Sequence, residues 1–138
     1  MELYVRKLDV EDIANLVIED KLPRLGNDNV HIFVVCDKPL KHYRVNPLDY
    51  FRIGSGVWSG VEEAYLHSFE VQPEYRRQGL GQKLVKASLV DIAEKGVTIA
   101  KALTLKSNDS INRILSNEGF EIEKEFPKTY KHRKLILD

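Results

Sequence analysis

Leu3, Val5 and Lys7 alternate with Tyr4, Arg6 and Leu8, and this two-residue period predicts a short strand. Asp9 then stands as the N-cap of a helix over residues 10–19, with Ile13, Leu16 and Val17 on one face. Pro23, Gly26 and two asparagines make residues 20–30 a short second helix turn followed by loop. Residues 31–37 are rich in β-branched side chains and read as a buried strand, with a polar connection over 38–46. Two strands over 50–59 and 61–71 are joined by a hairpin turn near Ser59-Gly60. A helix over 80–95 gathers Leu84, Val85, Leu89, Ile92 and Ala93 on one side, with Gly96 as its C′ stop. A strand over 98–106 follows. Ser107-Asn108-Asp109 then supplies caps for a short helix carrying Ile111, Ile114 and Leu115. Residues 120–126 and 130–137 finish as two strands separated by Pro127. The order β-α-(α)-β-β-β-α-β-α-β-β predicts an α/β fold, a mixed sheet with helices on its faces, in one domain over residues 1–138 without repeats or linkers.

Composition agrees with a single packed domain. The chain has 138 residues, 43% of them hydrophobic and 30% charged, which excludes intrinsic disorder. Lys plus Arg and Asp plus Glu both total 21, so no basic surplus points to nucleic acid or an anionic membrane. The longest apolar run, Ile32 to Cys36, is far below the ~18 residues of a membrane span. The N-terminus has no apolar signal core, and a soluble, cytoplasmic protein is expected. The lone Cys36 lies inside that apolar run, where a thiol stays protonated and inert. His31, His42 and His132 are scattered without metal-ligand spacing, so no metal is expected. The basic-aromatic cluster Lys41-His42-Tyr43-Arg44 and the basic stretch 128–134 read as solvated segments.

The segment that carries chemistry is Val71-Gln72-Pro73-Glu74-Tyr75-Arg76-Arg77-Gln78-Gly79-Leu80-Gly81-Gln82. A strand enters a tight turn with two glycines, and the turn opens an amphipathic helix. The first amides of a helix have no intrahelical partner and carry the positive end of its dipole, so the turn is an anion site. Glycine at 79 and 81 lets a phosphate approach the backbone, and Arg76 and Arg77 add charge. A Rossmann fingerprint would want a third glycine where Leu84 stands, and a P-loop would want Gly-Lys-Ser/Thr where the chain has Gly81-Gln82-Lys83.

The run Arg76-Arg77-Gln78-Gly79-Leu80-Gly81 after a strand ending in Val-x-Pro resembles the acetyl-CoA signature of the GNAT superfamily of N-acetyltransferases. The Asn108…Gly119-Phe120 spacing, the element order and the length are similar to that superfamily as well. The resemblance implies a mostly antiparallel central sheet with helices on both faces, splayed between the fourth and fifth strands. It implies acetyl-CoA as acetyl donor, with the backbone of Phe69, Glu70 and Val71 along the pantetheine arm. The amides of Arg77, Gln78, Gly79, Leu80, Gly81 and Gln82 would hold the pyrophosphate, beside Arg76, and Asn108 would lie near the arm at the splay. The implied reaction is direct attack of a primary amine on the thioester in a ternary complex, with the Val71 N–H polarising the carbonyl.

A base must free the amine. His67 is the first candidate, since its ordinary pKa of about 6.5 suits that transfer and strand alternation would place it with Tyr65, Phe69 and Val71. Arylalkylamine N-acetyltransferases are similar here, with histidines at the positions of Tyr65 and His67. A satisfied sheet histidine is the other reading, and Glu62 or Glu63 could act through water. Many GNAT enzymes carry an acid tyrosine four residues before the Gly-Phe pair, where this chain has Leu115. Tyr130 or Tyr65 would have to substitute, and a CoA-binding sensor or scaffold without catalysis is the alternative. The acceptor, a protein, peptide or small-molecule amine, is undetermined. The last two strands could pair between subunits of a homodimer. A short segment between Asp9 and Asn29 would leave the acceptor side open, which favours a peptide or protein amine.

Overall fold

A computed structural model describes residues 2–9, 12, 29–37 and 51–136. The expected helix over 10–19 (apart from Asp12), the turn after it, the 38–46 connection with Lys41-His42-Tyr43-Arg44, Tyr50 and Leu137 lie outside the described residues. Seven strands form one sheet: β1 (Tyr4–Lys7), β2 (Val30–Cys36), β3 (Gly54–Ser59), β4 (Ala64–Val71), β5 (Ile99–Leu105), β6 (Glu121–Glu125) and β7 (Thr129–Leu135), in the order β1-β2-β3-β4-β5-β7-β6. Every neighbouring pair is antiparallel except β4 and β5. Two helices are described, α1 (Leu80–Glu94) and α2 (Asp109–Asn117).

Local chemistry explains the boundaries. Asp12 N–H donates to Asp9 Oδ1 at 2.8 Å and Asp9 N–H donates to Asp12 Oδ2 at 3.0 Å, a reciprocal cap at the expected N-cap. Gly60, at φ 121°, starts the turn into β4, so that strand begins at Ala64 and not at Val61. A Cβ at Gly60 would stand 2.0 Å from the Glu63 carbonyl oxygen, which leaves glycine as the residue for this corner. Gly96 at φ 75° ends α1 as expected, and Asn108 caps α2 by accepting from the Ile111 N–H at 3.3 Å.

The strand period sorts the core onto two faces. Phe33, Val35, Trp58, Leu66, Ala100 and Ala102 pack under Leu80, Leu84, Val85 and Ile92 of α1 and Leu115 of α2. Ile32, Val34 and Cys36 turn to the opposite face with Leu8 and Val57. Both described helices therefore lie on one face, and the helix expected on the other falls outside the described residues. Cys36 is buried, and that burial raises its thiol pKa, which keeps it protonated. Asp91, itself buried on α1, accepts from Trp58 Nε1 at 3.0 Å and pairs with Lys7 and Lys95, tying β1 and β3 to the helix. None of the described helices is long and apolar enough to cross a membrane.

β4 and β5 pair over only three positions, Ala64 with Ala100, Tyr65 with Lys101 and Leu66 with Ala102. Beyond Leu66 the strands part, and the sheet opens a gap at its centre. That gap positions the site.

Candidate functional site

The turn after β4 is built as an anion cradle. Gln72 N–H donates to the Ile53 carbonyl at 2.8 Å, so the amides alternate and those of Val71 and Phe69 point away from β3, toward the gap. A 3-10 turn over Pro73–Tyr75 lifts the chain, and Arg77 (φ 67°) and Gly79 (φ 73°) adopt left-handed conformations. Backbone that alternates in this way gathers N–H groups into an anion-binding concavity. In α1 the first intrahelical donor is Lys83, whose N–H reaches the Gly79 carbonyl at 3.1 Å. The amides of Leu80, Gly81 and Gln82 precede it and have no helical acceptor.

The two glycines have different reasons. Gly79 needs its positive φ, and a Cβ there would meet nothing within 4 Å, so the position faces open space. A Cβ on Gly81 would come 3.0 Å from Ile114 Cδ1, so Gly81 lets α1 and α2 approach. Both glycines line the groove, and Gly81 in addition leaves room for Ile114. Gln82 Nε2 donates to Glu118 Oε2 at 2.8 Å, a second link between the helices. Arg76 turns back, its Nε donating to the Val71 carbonyl at 2.9 Å, while Arg77 and Gln78 are exposed.

These elements enclose a groove of about 630 Å³. Phe69, Glu70 and Val71 form one wall, Arg76, Arg77, Gly79, Leu80, Gly81 and Gln82 the end, and Asn108, Arg113 and Asn117 the opposite wall on α2. Of the expected cofactor residues, Gln78 stands in the turn but is not part of the lining. A second cavity of about 180 Å³ occupies the gap itself and shares Phe69, Asn108 and Ile111 with the groove. His67, Thr104 and Leu115 line this inner space.

His67 does not share a face with Phe69 and Val71, as plain alternation implied. Val57 pairs with His67 but Ser55 pairs with Glu70, so β4 carries one extra residue, and Ser68 takes it up at φ 58°. The bulge leaves Tyr65 and His67 on the face opposite α1 and turns Phe69 and Val71 onto the α1 face. Gly56 makes this possible, because a Cβ there would sit 2.3 Å from the Phe69 ring. His67 Nε2 is 3.2 Å from Ser59 Oγ and Nδ1 is 3.4 Å from Ser68 Oγ. Desolvation lowers the His67 pKa below 6.5, so the ring is neutral at pH 7 and able to accept a proton.

The other candidates are placed elsewhere. Glu63 accepts from Tyr65 OH at 2.9 Å and pairs with Lys101 at 3.2 Å; both contacts lower its own pKa, and the hydrogen bond to Glu63 raises that of Tyr65. Glu62 is exposed beside the turn. Tyr130, on β7, pairs in register with Thr104, and its ring lies against His132 and under the Lys106 ammonium, outside the lining of either cavity. Sequence reasoning missed the network behind the gap. Thr104 Oγ1 donates to Asn112 Oδ1 at 2.5 Å and lies 2.9 Å from His132 Nε2, while Asn112 Nδ2 donates to the Leu105 carbonyl at 3.1 Å. The network fixes the start of α2 to β5 and β7. Its signal was the shared parity of Thr104 on β5 with His132 on β7, legible only once the strand pairing is known.

Comparison with known proteins adds to this geometry. The structure of the PaiA N-acetyltransferase from Thermoplasma acidophilum in complex with coenzyme A superposes with a TM-score of 0.73 at 16% identity, covering 98% of this chain and 99% of that one. The ribosomal-protein-S18-alanine N-acetyltransferase from Escherichia coli gives 0.69 at 16%, covering 98% and 94%. Arabidopsis thaliana NAA60 in complex with acetyl-CoA gives 0.71 at 12%, covering 98% and 99%. At these identities the likeness establishes the fold. Among curated protein sequences none matches. The family described as Acetyltransferase (GNAT) family matches residues 16–115, most of the chain and the whole of the β4-turn-α1 unit. A parallel pair that parts at mid-sheet, a glycine turn at its mouth and this family match together establish that the chain belongs to the GNAT acetyltransferase family.

Proposed function

We propose that the protein is an N-acetyltransferase that passes the acetyl group of acetyl-CoA directly to a primary amine. One observation carries the reading: the groove beside β4 runs from the glycine turn that opens α1 at one end to a gap holding His67 at the other. The diphosphate of the cofactor sits on the amides from Arg77 to Gln82, with the Arg77 guanidinium beside it. The pantetheine arm runs along Phe69, Glu70 and Val71 as an added strand, and Asn108 stands at the splay. The two neighbours solved with coenzyme A and acetyl-CoA support that choice of donor.

The gap is lined from both faces of the sheet, by Leu66 and Ala102 on the α1 side and His67 on the other. The donor enters from the α1 face and the amine from the face of His67, so each reactant has its own entrance. Neutral His67, or a water it orders, accepts the ammonium proton, and the nitrogen attacks the thioester carbonyl. The Val71 N–H, turned toward the gap, donates to the developing oxyanion. The C–S bond then breaks. A thiol pKa of about 8.5 makes the thiolate a tolerable leaving group, so transfer proceeds although Leu115 donates no proton.

A non-catalytic CoA-binding module is the second reading, favoured by Leu115, 1% exposed, lining the gap while Tyr130 lies outside it. Thiol release from acetyl-CoA in a panel of primary amines separates the two. Turnover supports the enzyme, whereas a thermal shift with acetyl-CoA but no thiol release with any amine supports the module. At 100 times its dissociation constant the cofactor adds about 2.7 kcal/mol of stability. Gly79→Glu should abolish that shift, and an unchanged shift would remove the turn from the reading.

A further inference from the structure

Acyl transfer to an amine moves charge at three places. His67 meets the ammonium proton and the Val71 N–H meets the carbonyl oxygen, but the departing sulfur has no partner assigned. Leu115 lines the gap with carbon, and Tyr130 lies outside it. Thr104 brings a hydroxyl to the gap from the helix face, since it shares strand parity on β5 with Ala100 and Ala102 and reaches Asn112 on α2.

That hydroxyl belongs to a network whose hydrogens can be counted. Asn112 Nδ2 faces the Leu105 and Lys106 carbonyls at 3.1 and 3.4 Å, which fixes Oδ1 as the acceptor. Oδ1 accepts from Thr104 Oγ1 at 2.5 Å and lies 3.2 Å from His132 Nε2. His132 Nε2 therefore carries its hydrogen, shared between Oδ1 and the Thr104 oxygen 2.9 Å away. His132 is buried, and burial lowers its pKa, so the ring is neutral at pH 7 and holds this tautomer. Thr104 can then change partners. When its hydrogen turns toward the gap, the His132 N–H still serves Asn112 Oδ1 at 3.2 Å, and no polar atom of the network is orphaned.

We propose that Thr104 is a catalytic residue for the leaving group, its hydroxyl turning from Asn112 to the sulfur as the C–S bond breaks. On the CoA reading of the groove, on which this inference rests, the thioester reaches the gap from the helix side, where Thr104 stands. The amine nitrogen bonds to the acyl carbon, the C–S electron pair stays on sulfur, and the ammonium proton passes to His67 or its water. Thr104 keeps its own proton throughout. A hydrogen bond made only as charge develops on sulfur lowers the barrier without tightening the ground state.

Free CoA carries the same sulfur as a thiol, so its ionisation reads the contact without any acceptor amine. Ultraviolet absorbance of the thiolate, titrated in the CoA complex of the full chain against its acetyl-CoA complex, gives the pKa of the bound thiol. Apolar walls raise that pKa in every variant alike, and His67 is the one titratable group among the gap's lining residues and is common to all. Loss of a hydrogen bond to a charged group should raise the bound thiol pKa in Thr104→Val by about one to two, a 10–100-fold loss of thiolate. Thr104→Ser keeps the hydroxyl and should titrate with the wild type. Equal pKa values in wild type and folded Thr104→Val, or a Thr104→Ser value that matches Thr104→Val, overturn the role of Thr104 and leave the CoA reading intact. Absence of CoA binding by the wild type, read by titration calorimetry, overturns both. Should Thr104→Val fail to fold by circular dichroism, Thr104→Ala makes the same comparison without crowding, and an unchanged pKa there overturns the proposal.

Discussion

Gly79 and Gly81 belong to one short motif, yet substitution should expose different physics at each. Alanine at 79 must hold φ near 73°, which costs a non-glycine residue about 1–2 kcal/mol. The space around its Cβ adds nothing, since no atom lies within 4 Å. For a chain of this size the loss corresponds to a melting temperature lower by about 3–8 °C. Asparagine visits the left-handed region more readily, so Gly79→Asn should cost less than about 1 kcal/mol. Its side chain nevertheless projects into the groove, and acetyl-CoA affinity should fall by about tenfold or more, the loss of one well-made charged contact. Gly81→Ala reverses the balance. The methyl meets Ile114 Cδ1 at 3.0 Å, a flexible tip that can turn aside, and the gain in helix propensity of up to about 1 kcal/mol offsets the crowding. Stability should stay within about 0.5 kcal/mol of the parent, and the affinity loss should be the smaller of the two. Thermal melts with and without acetyl-CoA read both quantities. Wild-type affinity in Gly79→Asn, or greater destabilisation by Gly81→Ala than by Gly79→Ala, would refute the assignment of the two roles.

Two further outcomes follow from titratable groups. His67 has its pKa lowered by desolvation, so turnover should rise with pH through a midpoint below 6.5 and level off near neutrality. His67→Ala should lower kcat by about 10²–10⁴-fold and remove that midpoint, with KM for acetyl-CoA little changed, and unchanged kinetics would exclude His67 as the base. His31, stacked on Trp58 at 4.0 Å, has its pKa lowered to about 4 by burial and by Lys7 and Lys95, against the attraction of Asp91. It stays neutral in the fold at pH values where the unfolded chain takes up a proton. Its contribution is therefore whole above pH 6.5 and is lost as pH falls toward 4, by about 3 kcal/mol at the limit. Urea unfolding of the wild type and His31→Gln at pH 7 and pH 4.5 should show a smaller pH effect in the variant, and equal effects would contradict this.

Much of the fold was legible because period and punctuation agree. α1 begins at Leu80 as read and ends one residue earlier, and of the caps offered by Ser107-Asn108-Asp109 it is Asn108 whose side chain caps α2. The strand read from residue 50 begins at Gly54, because pairing with β4 starts there. The face of Phe69 was not legible. Tyr65-Leu66-His67-Ser68-Phe69 reads as unbroken alternation, and the bulge at Ser68 arises from a partner strand whose Gly56 leaves room for the ring. The position of Tyr130 shows the same limit. Alternation gives the face of a residue within its own strand, but not how far along the sheet the neighbouring gap opens.

A crystal structure with acetyl-CoA bound tests the central claim most directly. The diphosphate oxygens should lie about 2.7–3.2 Å from the amide nitrogens between Gly79 and Gln82, with the thioester at the gap beside His67. A nucleotide seated instead in the hollow of about 560 Å³ near Gly119, Arg133 and Lys134, with the turn after β4 unused, would contradict it.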